Sequence, residues 1–176
     1  MKFKLTTTLA LLRQHNACES GYHTLLKSLG PKWPQDKTIN LLQILKSNGA
    51  QDTLWTLRAT REDSTLARVA IVASFAKSVL KDYTKFAPSD TRIADCIKTC
   101  FSFVKGKVTI AKLHDEVWTA FAAESTCSAY SPAWSAARVT TLAVGSARSA
   151  NLAKSAAHLV SATGQKQARI ISKWLA

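Results

Sequence analysis

The sequence predicts an all-α protein, a single-domain bundle of seven or eight helices over residues 1–176. Its core is expected over 5–124, with an Ala/Ser-rich basic helical tail over 133–176 packed on it. Three observations lead there. Apolar residues recur at three- and four-residue intervals along most of the chain, with hardly any alternating strand pattern. Helix-stop residues punctuate that periodicity at Gly30-Pro31, Asn48-Gly49 and Gly106. A length of 176 residues, 47% of them hydrophobic, suffices for one buried core, and no apolar run reaches the roughly 20 residues that span a bilayer.

Leu5, Leu9 and Leu12 open the pattern as a first amphipathic helix. Met1-Lys2-Phe3-Lys4 resembles the start of a secretory signal, but Arg13-Gln14-His15 interrupts the apolar stretch and no small-x-small cleavage site follows, so a cytoplasmic protein is expected. Tyr22, Leu25, Leu26 and Leu29 form the next stripe, followed by a loop over 32–37 containing Trp33 and Pro34. Thr38 is placed to cap a helix with Leu41, Leu42 and Leu45, and Asp52 or Thr53 to open another with Leu54, Trp55 and Leu57 inward. Asp63-Ser64 caps a segment running to about Tyr83 that is apolar on both faces, the mark of a helix packed on several sides. Pro88-Ser89-Asp90 starts a helix with an inner stripe of Ile93, Ile97, Cys100, Phe101 and Val104, and Thr109 precedes one carrying Leu113, Val117, Ala120 and Phe121. After a linker over 125–132, one long helix is expected from Ala133 to about Thr163. Its large residues share a face with Gly145, Ser149 and Ala156, which lets a neighbour approach closely. Beyond Gly164, Ile170, Ile171 and Trp174 make a short terminal amphipathic helix, docked on its own bundle or on a second copy; oligomeric state is left open.

Charge is the strongest functional signal. Lys and Arg number 24 against 11 Asp and Glu, a formal net charge of +13, and residues 125–176 carry six basic residues and no acid. Such a segment cannot neutralise itself, so its potential faces water or an anionic partner. Candidate contacts are Arg138, Arg148, Lys154, Arg169 and Lys173, joined by Lys32, Trp33 and Lys37 of the Pro-bounded loop. Trp33, flanked by bases, either stacks on a partner or closes its loop over the core. Trp55, Trp118 and Trp134 are expected in the core.

Chemistry beyond binding finds little support. Cys96 and Cys100 lie at i, i+4, with His114 and Cys127 further on, but there is no C-x-x-C pair and Cys100 sits in an apolar stripe, so core packing is expected and no metal or cofactor. The four cysteines show no disulfide-framework spacing, and reduced thiols are expected. There is no G-x-S-x-G, P-loop, G-x-G-x-x-G or H-E-x-x-H motif. Asp115-Glu116 beside His114 is the densest ionisable cluster, but consecutive helical residues diverge by about 100° and do not converge on a substrate. Glu62-Asp63 reads as negative charge near a helix amino terminus. No enzyme is expected.

Several stretches carry a resemblance: Ala17-Cys18-Glu19-Ser20-Gly21; Leu41 through Arg58, with its Ser47-Asn48-Gly49-x-x-Asp52-x-Leu54-Trp55-x-Leu57-Arg58 block; Arg68 to Leu80; Asp90-Thr91-Arg92; and Gly106 before Thr109, followed by an alanine-rich tail. Over about residues 17–160 the chain resembles small phage-encoded helical proteins grouped as a phage immunity-protein family. The block itself encodes a corner between two helices, and the basic tail departs from the family's acidic one. The resemblance implies a phage-type accessory protein that binds a host or competing-phage component stoichiometrically in the host cytosol. An acidic protein is the expected partner, nonspecific nucleic-acid binding is the alternative, and no membrane is implied.

Overall fold

Three consecutive threonines decide how the chain begins. Thr6–Thr7 (β1) is extended, as β-branched residues favour, and pairs antiparallel with Ile39–Asn40 (β2) in the register Thr6 to Asn40 and Thr7 to Ile39. The Thr6 N–H and hydroxyl donate to the two carboxylate oxygens of Glu62 (both 2.7 Å), and the Thr7 hydroxyl donates to the Ala59 carbonyl. The first helix therefore starts at Leu9, not at Leu5 as expected, with Thr8 Oγ1 accepting from Leu11 N–H (3.1 Å) as its cap. Glu62 likewise serves this strand and not a helix terminus.

The computed structural model describes residues 1–129, 131–160 and 164–175. It is all-α apart from that two-stranded sheet, with ten helices among the described residues. The chain divides into two units, Met1–Ser64 with Ala162–Ala176, and Thr65–Ser161. The division cuts across the expected core and tail, because 133–160 belongs with 65–124 while the terminal helix belongs with 1–64.

In the first unit, α1 (Leu9–Gln14) and α2 (Glu19–Leu29) bury Leu9, Leu12, Tyr22 and Leu25 with Ile39, Ile44 and Ala59, and Trp33 and Trp55 pack against this cluster. The next helix, α3 (Leu41–Asn48), is capped by Asn40 and not by Thr38. Asn40 Oδ1 accepts from Leu42 N–H (2.8 Å), while Gln43 Oε1 accepts from Asn40 N–H (2.9 Å), a reciprocal capping box. Gly49 ends α3 and begins α4 (Ala50–Thr56) in the same residue at φ +83°, a left-handed conformation that glycine adopts without steric cost. Asp52 sits in the first turn of α4, where it accepts from Asn48 Nδ2 (2.9 Å). That amide also donates to the Gly21 carbonyl (2.8 Å), so the expected corner is tied to α2. The terminal helix α10 (Gly164–Trp174) packs on α3 and α4. Phe3 N–H donates to the Trp174 carbonyl (2.7 Å), and the two rings stack at 6.2 Å.

In the second unit, α5 (Thr65–Phe86) buries ten residues from Ala67 to Tyr83 on every side, as its all-round apolar pattern predicts. It is flanked by α6 (Arg92–Val104), α8 (Pro132–Gly145) and α9 (Asn151–Leu159), and α7 (Ile110–Glu124) packs on α6 and α8. Alanines line much of the buried face of α8 (Ala133, Ala136, Ala137, Ala143), and small residues let it lie close along α5. The single long helix expected from Ala133 is two. At its break, Arg68 Nε donates to the Ser146 carbonyl (2.9 Å), taking an acceptor that a continuing helix would use, and buried Ser146 Oγ donates back to Ala143 O (2.7 Å). Gly145 completes the turn: a Cβ there would stand 2.7 Å from Leu152 Cδ1. The expected end at Thr163, and Tyr130 within the expected linker, lie outside the described residues.

Candidate functional site

The second unit holds three of the basic candidates in three different environments. Arg138 on α8 is not an uncompensated cation. Its Nη1 donates to Glu124 Oε1 (3.2 Å), Thr141 Oγ1 donates to Glu124 Oε2 (3.2 Å), and the Glu124 side chain is 8% exposed. The pair joins α7 to α8, and the carboxylate comes from outside the acid-free segment. Lys154 on α9 is half-buried. Arg148, in the turn between α8 and α9, is exposed; its Nε lies 2.9 Å from His114 Nε2 and its Nη2 2.8 Å from His114 Nδ1. A neutral imidazole accepts at only one ring nitrogen. Burial first, then the Arg148 charge, holds the His114 pKa below its ordinary value, with Asp115 opposing.

Around that pair lies a cleft of about 440 Å³ between α7 and the α8–α9 turn, lined by His114, Asp115, Val117, Trp118, Gly145, Arg148, Ser149 and Leu152. Trp118, expected in the core, is 74% exposed at its edge, and Phe121 on the same helix is 46% exposed. The two rings meet edge to face at 6.5 Å, and Ile110, about two turns toward the N-terminus of α7, is 46% exposed. The signal was present in the sequence: Ile110, His114, Val117, Trp118 and Phe121 fall within about 100° of arc, beside Leu113, Ala120 and Ala123, which are buried.

The first unit holds the other candidates. Arg169 and Lys173 are exposed on α10, and Lys166, absent from the candidates read in the sequence, joins them within about 60° of arc. Ile171, Gln167 and Leu175 are buried. Among the described residues no ion pair is recorded for these three cations. Lys32 and Lys37 are exposed, but Lys37 Nζ sits 4.0 Å from the centre of the Trp33 ring, and Trp33 packs on the core cluster. Of its two alternatives, Trp33 closes the loop.

Cys96, Cys100 and Glu116 meet inside the second unit. Cys96 and Cys100 are buried. Cys96 Sγ donates to Glu116 Oε2 (3.3 Å), and burial pushes the Cys100 thiol up to about 12. Glu116 also pairs with Lys112 (3.4 Å), and His114 faces Arg148 instead of the thiols. Among the described residues no three His, Cys, Asp or Glu side chains converge as metal ligands, and no helix is long and apolar enough to cross a membrane. Compared with known protein families, with curated proteins and with solved structures, the chain matches none.

Proposed function

We propose that this protein acts by stoichiometric binding of an anionic macromolecular partner, not by catalysis, through the basic face of α10. One observation carries the reading: Lys166, Arg169 and Lys173 all reach solvent on one side of a helix whose other side is anchored by Ile171. They span about 10 Å along the helix axis, comparable to a Debye length at physiological salt, so a partner meets them as one charged surface. Their opposition to a buried face holds the stripe on a docked scaffold, where less side-chain and backbone order is lost on binding. The resemblance to phage immunity proteins would make that partner an acidic host or competing-phage component in the host cytosol.

The test is capture of partners from host and infected lysates by the full chain and by the triple reversal K166E/R169E/K173E, with circular dichroism to confirm the helical fold. Enrichment of an acidic protein by the native chain, lost in the triple variant, supports the proposal. Equal recovery by both chains, or recovery of none by either, refutes it. A salt titration with duplex and single-stranded oligonucleotides separates the alternative: nucleic-acid binding that weakens steeply with salt and needs the same three cations would make the partner a phosphate backbone.

A further inference from the structure

We propose that the cleft between α7 and the α8–α9 turn binds a carboxylate joined to a large apolar group, the chemistry a partner protein presents where an acidic residue adjoins an aromatic or leucine side chain. The cleft shares no residue with the α10 face, and its chemistry does not depend on it. Its apolar half is Trp118, Val117 and Leu152, with Trp118 74% exposed. Single exposed apolar residues are ordinary on a protein surface; here Trp118 and Phe121 meet edge to face beside the cleft, and adjoining exposed rings of that kind mark an interaction surface.

Its polar half is Arg148. The contact that orients its guanidinium is an imidazole, which brings no negative charge, so the cation is positioned without being neutralised. Nε and Nη2 face His114, which accepts from only one of them, so Nη1 and at least one hydrogen of Nη2 remain for an outside acceptor, a geometry suited to a carboxylate. A volume of about 440 Å³ accommodates one side chain with its flanking backbone. The same features select against a nucleic-acid strand. A phosphate chain brings a charge at every nucleotide and calls for several cations, whereas this cleft offers one guanidinium with the Asp115 carboxylate among its lining groups.

The experiment follows the indole N–H resonances of the full chain by solution NMR, with Trp118 assigned from W118F. The probes are phenylbutyrate, phenylbutylamine and an oligothymidylate. Phenylbutyrate is expected to shift the Trp118 signal saturably at millimolar concentration, and phenylbutylamine to leave it in place. R148Q is expected to weaken phenylbutyrate binding about tenfold, the loss of a hydrogen bond to a charged group. R148K is expected to recover part of that loss. The amide spectrum of each variant reports whether its fold is intact. The proposal is overturned if phenylbutyrate leaves Trp118 unmoved, if the amine binds as well as the acid, if R148Q binds unchanged, or if the oligothymidylate displaces phenylbutyrate at Trp118.

Discussion

Replacing Arg138 with methionine removes the guanidinium that faces Glu124 and leaves a carboxylate whose side chain is 8% exposed, still accepting from Thr141. Breaking a well-buried ion pair from one side typically costs about 3–5 kcal/mol, because the surviving charge keeps its desolvation penalty and loses its compensation. Two features of this pair lower that figure. The Arg138 side chain is 39% exposed, so water reaches its side of the contact, and the Thr141 bond remains. A loss of about 2 kcal/mol is expected, a fall of roughly 1 M in the urea midpoint for a slope of about 2 kcal/mol per molar. The double variant E124Q/R138M removes the charge as well as its partner and is expected to recover most of the loss, to within about 1 kcal/mol of the native chain. If Arg138 were instead a free surface cation awaiting a partner, R138M would shift stability by no more than about 0.5 kcal/mol. That result, or a double variant no more stable than R138M, would refute the assignment of Arg138 to the Glu124 ion pair.

Phe75 is fully buried on α5, and Phe75→Ala is expected to cost about 3–5 kcal/mol by urea denaturation. Asn40→Ala should cost about 1 kcal/mol by the same measurement, and Thr38→Ala clearly less, because the capping bond to α3 comes from Asn40. Trp118→Ala should leave stability within about 0.5 kcal/mol of native, since its ring is mostly in water already. The Arg92 guanidinium chiefly, helped by the Tyr83 hydroxyl (2.6 Å) and opposed by burial, holds the Asp90 carboxyl well below its ordinary range. A depressed folded value means stability present at neutral pH and lost as the pH falls through the ordinary carboxylate range toward the folded one. Asp90→Asn should therefore be less stable than native at pH 7, and the gap should close on acidification in denaturation curves taken across that range.

Much of the fold was legible in local pattern. The stripe Tyr22–Leu29 ended by Gly30, the all-round apolar segment that became α5, the Thr109 cap of α7 and the amphipathic terminal helix all emerged within a few residues of their expected bounds. Each rests on 3.6-residue periodicity or a capping residue, which act between neighbours in the chain. The candidate site was legible only in part. Arg169, Lys173 and Lys166 are exposed as their positions on an amphipathic helix require, whereas the spacing of Trp118 fits an inner and an outer face equally well and only packing turns it to water.

Local pattern along the chain is enough to say that the protein is helical, that residues 125–176 hold no acidic side chain, and which residues share each helix face. Tertiary structure decided where those faces point and which charges are answered. Arg68 stops a helix whose periodicity would run on, by bonding a carbonyl 78 residues away, and Glu124 reaches across 14 residues to neutralise Arg138. Trp118 faces water because Leu113 and Ala120 take the packed side of α7. Periodicity sets the angle between side chains on one helix, but not the orientation of that helix against others. Charge balance is a sum over space, which a count along the chain cannot supply.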